Sequence, residues 1–229
     1  MATRTAPSAR TGFTARLRGF WLRDLLIAVF LILAVWTLLP TRQQEIRNLD
    51  TPGRSLVCFG DSITAGVGAK PGEDIASRLG VALRRTVVNA GVSGDTTAAA
   101  LARVSADVLV HRPGIVVVCL GGNDFLRGIP IETAGENLGA IVRAIHQSGA
   151  MVVLGGFSFP SLAGDWAAMY ARVAKREGCL LVPDLLDGIT GNPELKSDSI
   201  HPNAAGYAVL AGRLEKPLRD LMQRAGWTG

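Results

Sequence analysis

Five short, nearly continuous apolar runs recur along the chain: Leu56–Phe59, Val87–Asn89, Ile115–Leu120, Met151–Leu154 and Leu180–Val182. A strand with one face in water alternates polar and apolar residues. Runs rich in β-branched residues with almost no polar break instead suit strands covered on both faces, as in a parallel sheet. Parallel neighbours need a long crossover, and the intervals carry helical spacing at Asp74–Arg84, Thr96–His111, Thr133–Ser148 and Asp165–Glu177. A last helix is expected over Asn203–Arg224. The pattern predicts a three-layer α/β/α sandwich around a five-stranded parallel sheet, with ligands gathering where loops leave the carboxyl ends of the strands.

Upstream lies a different kind of segment. Leu25–Leu39 is apolar apart from Thr37, and Phe20–Pro40 spans 21 residues, roughly 30 Å as a helix and enough for a bilayer core. Arg4, Arg10, Arg16, Arg18 and Arg23 lie in or before this span, so the positive-inside rule puts the N-terminus in the cytoplasm. The expected organisation is a basic cytoplasmic tail (1–19), a transmembrane signal-anchor (20–40), a polar linker (41–54) and a folded α/β domain (55–229). That domain would stand on the periplasmic, extracytoplasmic side of the cytoplasmic membrane. A cleaved signal peptide has a similar plan, although Thr37–Arg42 offers no small-x-small cleavage site. A buried helix of the soluble body is the remaining reading.

The formal charge of +5 belongs mostly to that tail: five Arg and one Asp in residues 1–40 leave about +1 for the rest. A nucleic-acid-binding domain keeps its basic stripe on the folded part, so no nucleic-acid partner is expected. Cys58, Cys119 and Cys179 form no CxxC pair and read as buried thiols. One Asp-His pair without further ligands does not complete a metal shell, so neither a metal nor a cofactor is implied.

The chemically interesting residues fall at the expected strand ends. Gly60-Asp61-Ser62 follows the first strand, and Gly60 permits a sharp turn that would project Ser62 from the sheet; a helix cap is the plainer role for such a serine. Glycines 91 and 94 after the second strand either bring a backbone N–H to a ligand or merely turn the chain. Asn123, in Gly121-Gly122-Asn123-Asp124 after the third, either donates to a developing oxyanion or makes an Asx-turn. A serine hydroxyl needs a base. His111 and His146 lie near helix ends and read as C-terminal cations. His201 alone sits in a loop with an acid three residues before it. That spacing lets Asp198 take one ring nitrogen and leave the other for Ser62. Gly156-Phe157-Ser158-Phe159-Pro160 imitates a nucleophile elbow, but Pro160 replaces its last glycine.

Together the four blocks resemble the SGNH (GDSL-type) hydrolase family over about residues 55–220. The Val88–Thr97 and Leu120–Gly128 stretches are most similar to its bacterial arylesterase and acyl-thioesterase/lysophospholipase branch. The resemblance implies the flavodoxin-like fold of that family and a serine ester hydrolase. It implies Ser62 as nucleophile, His201 as general base and acid, Asp198 as its orienter, and an oxyanion hole from the Ser62 N–H, the Gly94 N–H and the Asn123 side chain. Ser199 departs from the family's frequent glycine, which would matter if that turn required a positive φ.

The loops Phe125–Ile131 and Phe157–Asp165 carry Phe125, Leu126, Ile129, Phe157, Phe159 and Leu162. Phe125, Leu126, Phe157 and Phe159 are the candidate substrate-binding residues, for an acyl ester or thioester that is small or lipid-like. Packing against neighbouring helices competes for each of them. An envelope carbohydrate O-deacetylase using the same residues and a membrane-tethered binding domain are the alternatives.

Overall fold

The computed structural model describes Trp21 and residues 23–31, 45–159 and 165–227. The chain divides into two compact units, Met1–Gln43 and Gln44–Gly229. In the first, Trp21 and residues 23–31 are helical. No helix among the described residues is long and apolar enough to cross a membrane. The tail 1–19 and the rest of the expected 20–40 span lie outside the described residues.

The second unit is the expected sandwich. Its strands are β1 (Ser55–Gly60), β2 (Val87–Gly91), β3 (Pro113–Cys119), β4 (Met151–Gly155) and β5 (Leu180–Val182), all parallel in the order β2-β1-β3-β4-β5. Its helices are α1 (Ser62–Ala65), α2 (Ile75–Leu83), α3 (Thr97–Asp107), α4 (Gly122–Leu126), α5 (Ile131–Gln147), α6 (Trp166–Glu177) and α7 (Ala204–Arg224). α2 packs with α7, while α3, α5 and α6 pack in a row, as right-handed crossovers on opposite faces require. Every residue of β3 and β4 is buried. Each fully buried Val, Ile or Leu contributes about 1.5–3 kcal/mol, so these two strands anchor the core.

Helix starts are set by side chains that satisfy otherwise unpaired N–H groups. Asp74, Thr96, Asp165 and Asn203 cap α2, α3, α6 and α7. The expected helix Thr96–His111 is broken: α3 stops at Asp107, and Leu109–His111 forms a separate 3-10 turn. Residues 45–54, expected as linker, lie on the body instead. Ile46 and Thr51 are buried. The Arg47 N–H donates to Gly178 O at 3.0 Å, and Asn48 Nδ2 donates to His146 O and Ala150 O at 2.9 Å each.

The strand order reverses between β1 and β3, and Gly60 is in register with both Gly91 and Cys119. The carboxyl ends of β1, β2 and β3 are therefore level at the switch point, where such sheets hold ligands.

Candidate active site

Asp61 turns β1 into α1. Its carboxylate accepts from the Ile63 N–H at 3.0 Å, which places Ser62 as the first helical residue, 8% exposed. Gly60 is required here, because a Cβ would run into Cys119 O and the Thr64 side chain. Asp61 is itself buried, and burial pushes its carboxyl up to about 6.

The fourth block reaches Ser62 from the other side. Residues 196–202 form a loop closed by an antiparallel bridge between Lys196 and Pro202, with the Ser197 N–H donating to His201 O at 2.9 Å. Inside it, Asp198 Oδ1 accepts from the Ile200 and His201 N–H groups at 2.7 Å each. Asp198 Oδ2 lies 2.7 Å from His201 Nδ1, and His201 Nε2 lies 3.0 Å from Ser62 Oγ. The His201 backbone N–H, its ring and the Ile200 N–H hold the Asp198 carboxyl well below the usual carboxylate range. An ionised acceptor on Nδ1 selects the tautomer with Nδ1–H, so Nε2 presents its lone pair to the Ser62 hydroxyl. Ser199 is not among the residues with positive φ, so a serine fits that turn without strain.

The Asn123 amide joins the other three blocks. Its Nδ2 donates to Asp95 O, in the loop after β2, at 3.0 Å, and to Asp61 Oδ2 at 3.4 Å. Gly94 lies in the same β2 loop with φ +84, a conformation that favours glycine. Its carbonyl accepts from Arg127 Nη2 at 2.7 Å. The fold thus brings Ser62, His201 and Asp198 into one hydrogen-bonded chain, and Asn123 and the Gly94 loop into a second cluster beside Asp61.

Several supporting residues were not evident from sequence. Arg103 of α3 donates to Gly60 O and Ala90 O at 3.0 Å each, pairs with Asp95 at 2.6 Å and Asp107 at 3.0 Å, and stacks over Phe59. It therefore ties the ends of β1 and β2 together. Fully buried Asp124 accepts from the Thr97 N–H at 2.8 Å and the Thr97 hydroxyl at 2.6 Å, fixing α4 to α3. The Tyr170 hydroxyl donates to Leu120 O at 2.7 Å. The Tyr207 hydroxyl donates to Val67 O at 2.8 Å.

The expected apolar residues divide. Phe125 and Phe159 stack with centroids 4.2 Å apart, and Trp166 meets both edge-on, so the two loops do join in one aromatic slab. Leu126 is 56% exposed beside it. Phe157 corrects the expectation of a substrate contact. It is 1% exposed and packs edge-on against Tyr170, because Gly156-Phe157 still runs within the core after β4. Leu162 lies outside the described residues.

His146 is a second correction. Its ring is buried, neither nitrogen has a partner among the described residues, and burial lowers it to about 4. It is a neutral core residue, not a helix-terminal cation. All three cysteines are free and buried, with the Cys58 and Cys179 thiols each pushed up to about 12 by burial. Among the described residues no group of three or more His, Cys, Asp and Glu side chains is placed to hold a metal ion.

Comparison with known proteins gives a consistent picture. Residues 58–209 match the model of the GDSL-like Lipase/Acylhydrolase family. The chain is similar to Esterase TesA of Pseudomonas aeruginosa, at 33% identity over 180 residues that cover 74% of this chain and 90% of that protein. It is similar also to thioesterase 1/protease 1/lysophospholipase L1 of Escherichia coli K12, at 31% identity over 181 residues covering 73% and 85%. Among solved structures, a crystal structure of TesA matches with a TM-score of 0.69 and 34% identity, over 73% of this chain and 99% of that one.

Proposed function

Because the chain belongs to the GDSL-like lipase and acylhydrolase family, we propose that it is a serine ester hydrolase working through Ser62, His201 and Asp198 by way of an acyl-enzyme. The observation that carries this reading is the unbroken relay from Asp198 Oδ2 through His201 to Ser62 Oγ, with contacts of 2.7 and 3.0 Å. Ser62 Oγ attacks the acyl carbon while its proton passes to His201 Nε2. The imidazolium so formed is stabilised by the ionised Asp198. Charge developing on the carbonyl oxygen is met by the Ser62 N–H, the Gly94 N–H and the Asn123 amide. The Asn123 contact to Asp61 is the longer of its two, so that proton is the one free to turn to the oxyanion. Collapse expels the alcohol or thiol, protonated by His201. Water then attacks the acyl-enzyme, with the same imidazole as base.

The rim around this site favours a lipid-like or aryl acyl group over a carbohydrate. Val92, Leu126 and Ile200 are exposed to 43, 56 and 43%, each on a loop or short helix that carries a candidate site residue. The Phe125–Phe159–Trp166 slab, whose Phe125 lies two residues after Asn123, offers a flat apolar face. We therefore assign carboxylester, thioester and lysophospholipid substrates to the chain, with Phe125, Leu126 and Phe159 contacting the acyl group.

The N-terminal segment is read as a single-pass anchor in the cytoplasmic membrane, the body standing on the extracytoplasmic side. Supporting this are the arginine-rich leader and the helical stretch whose Trp21, Leu25, Phe30 and Leu31 side chains are exposed. The catalytic assignment is tested with a fluorophosphonate probe. The wild-type protein should label at Ser62, and Ser62→Ala should lose labelling and at least about 10⁴-fold in kcat. Undiminished hydrolysis by purified Ser62→Ala protein would discard the mechanism.

A further inference from the structure

The loop after β2 carries Gly94, whose N–H is one of the donors assigned above to the developing oxyanion. The Val92 N–H donates to Gly60 O at 3.0 Å, and the Asp95 N–H donates back to Val92 O at 3.2 Å, which closes a turn with Ser93 and Gly94 at its tip. Gly94 has φ +84, and Ser93 is not among the residues with positive φ. A closed turn with a positive φ at its third residue alone is of type II. The Gly94 N–H therefore belongs to the peptide at the tip, which takes no part in the closing bond. Glycine sets the sense of that peptide. Where the tip stands over the site depends on what holds it, because a turn tied only at its two ends can rock about the line between them.

Most of the bonds on this loop act on its ends. Asp95 O accepts from Asn123 Nδ2 at 3.0 Å, the Asp95 carboxylate pairs with Arg103 at 2.6 Å, and Val92 is tied to β1. Among the described residues one side chain reaches the tip: Arg127 Nη2 donates to Gly94 O at 2.7 Å. A Cβ built on Gly94 would meet that same nitrogen at 3.6 Å and no other described residue within 4 Å. The tip thus rests on the guanidinium and is otherwise open.

The other side of this contact is fixed. Arg127 follows α4 directly, and its own N–H donates to Asn123 O at 3.0 Å. Fully buried Asp124 pins α4 to the Thr97 N–H and hydroxyl at 2.8 and 2.6 Å. Arg127 therefore holds the carbonyls of both Asn123 and Gly94, the first through its backbone and the second through its side chain. The carboxylates on the same two segments are already engaged, Asp95 with Arg103 and Asp124 with Thr97. Resting on the hydrolase reading above, we propose that Arg127 is a positioning residue that fixes the tip of this turn, so that the Gly94 N–H and the Asn123 amide meet one carbonyl oxygen. Arg127 is exposed, and a hydrogen bond in contact with water adds little to stability. Its effect is therefore on rate and not on folding.

The test compares full-length wild-type protein with Arg127→Met, which keeps the apolar stem and removes the donor, on a phenyl ester and on its thiono analogue, in which sulfur replaces the carbonyl oxygen. Sulfur is a weak acceptor, so oxyanion donors favour the oxygen ester, and the ratio of the two kcat values reports on them. Misplacing a group by about 1 Å costs up to about 10² in rate. Arg127→Met should lose about 10- to 10²-fold in kcat on the oxygen ester with KM nearly unchanged, and much less on the thiono ester. It should melt within about 2 °C of wild type. Arg127→Lys keeps the charge and one donor and should recover part of the ratio. Asn123→Ala is the reference for a lost donor and should narrow the ratio at least as far. Full kcat in Arg127→Met, or equal losses on the two esters, overturns the positioning role and leaves Ser62-dependent hydrolysis standing. A kcat loss that comes with a larger melting shift assigns Arg127 to the fold and overturns it as well. A ratio unmoved by Asn123→Ala overturns the oxyanion assignment and the positioning role with it. Wild-type protein that fluorophosphonate fails to label at Ser62 overturns the hydrolase reading and everything built on it.

Discussion

Replacing Arg103 tests whether the loops that carry Ser62 and Gly94 are held by one guanidinium. Arg103 supplies both strand-end carbonyls, Gly60 O and Ala90 O, with a donor, and its Asp95 partner is only 11% exposed. Arg103→Met keeps the apolar stem over Phe59 but takes the guanidinium from Ala90 O, from Gly60 O, which retains the Val92 N–H, and from the Asp95 and Asp107 carboxylates. Breaking a buried pair costs about 3–5 kcal/mol, and the 16% exposure of Arg103 argues for the lower end, about 3 kcal/mol. For a domain of this size that lowers Tm by roughly 10 °C. The chemical effect should be separate. Ser62 lies two residues beyond Gly60, and Gly94 lies between Ala90 and the Asp95 anchor, so relaxation moves the proposed nucleophile and the proposed oxyanion donor apart. Misplacement of about 1 Å is worth about 10² in rate, and it should fall on kcat with KM little changed. Steady-state kinetics on an aryl ester, paired with denaturant melts and the rate of fluorophosphonate labelling, separates the two. Arg103→Lys should recover part of the stability and little of kcat, because a point charge does not reproduce the fork. A Met variant that loses stability yet keeps its kcat, or a Lys variant with full kcat, would show that Arg103 supports the fold without positioning the site.

Three further outcomes follow from the geometry. Asn123→Ala should lower kcat about 10²–10³-fold, or roughly 3–4 kcal/mol, and leave KM nearly unchanged in ester kinetics. His146 is held near 4 against an ordinary 6.5. Its neutral form therefore favours the fold above pH 6.5, and that contribution is lost as pH falls through about 4. Discounted for partial solvent access, the loss is about 2 kcal/mol, so urea melts at pH 7 and 4 should show His146→Leu losing that much less stability than wild type. Gly121→Ala puts a side chain at φ +118 and drives its Cβ into the Tyr170 hydroxyl. It should destabilise by about 2–4 kcal/mol, with Tyr170→Phe in the same chain recovering part of that in the same melts.

The parts legible in the sequence are those whose physics is local. An unbroken apolar run such as Ile115–Leu120 has no polar face to offer water, so a strand covered on both sides was the expectation, and β3 is that strand. Asp74 and Asn203 mark helix starts because a short polar side chain satisfies N–H groups two or three residues on. His201 stood out because its acid lies three residues away in the same loop. The misreadings share a cause. His146 looks exposed from its place near a helix end, but the Arg47–Thr51 segment, about 100 residues earlier, folds over that end. The same packing turns most of the expected linker into part of the body.

The supports of the site were hidden for a more specific reason. Arg103 donates to Gly60 O and Ala90 O, Asn123 to Asp95 O, Tyr170 to Leu120 O, Tyr207 to Val67 O and Asn89 to Thr64 O. Each acceptor is a backbone carbonyl, which every residue possesses, so the partner's identity leaves no trace in the sequence. What remains visible is the donor alone. Tyr170 and Tyr207 are polar-tipped residues on helix faces that are otherwise core, and a buried hydroxyl or guanidinium there must find an acceptor. Because each helix packs against the sheet, the carbonyls within its reach lie at and just beyond the carboxyl ends of the strands. A long polar donor on the inward face of a crossover helix thus points to the same rim as the loops that carry Ser62, Gly94 and His201, and Arg103 is the case in which that inference changes what is tested.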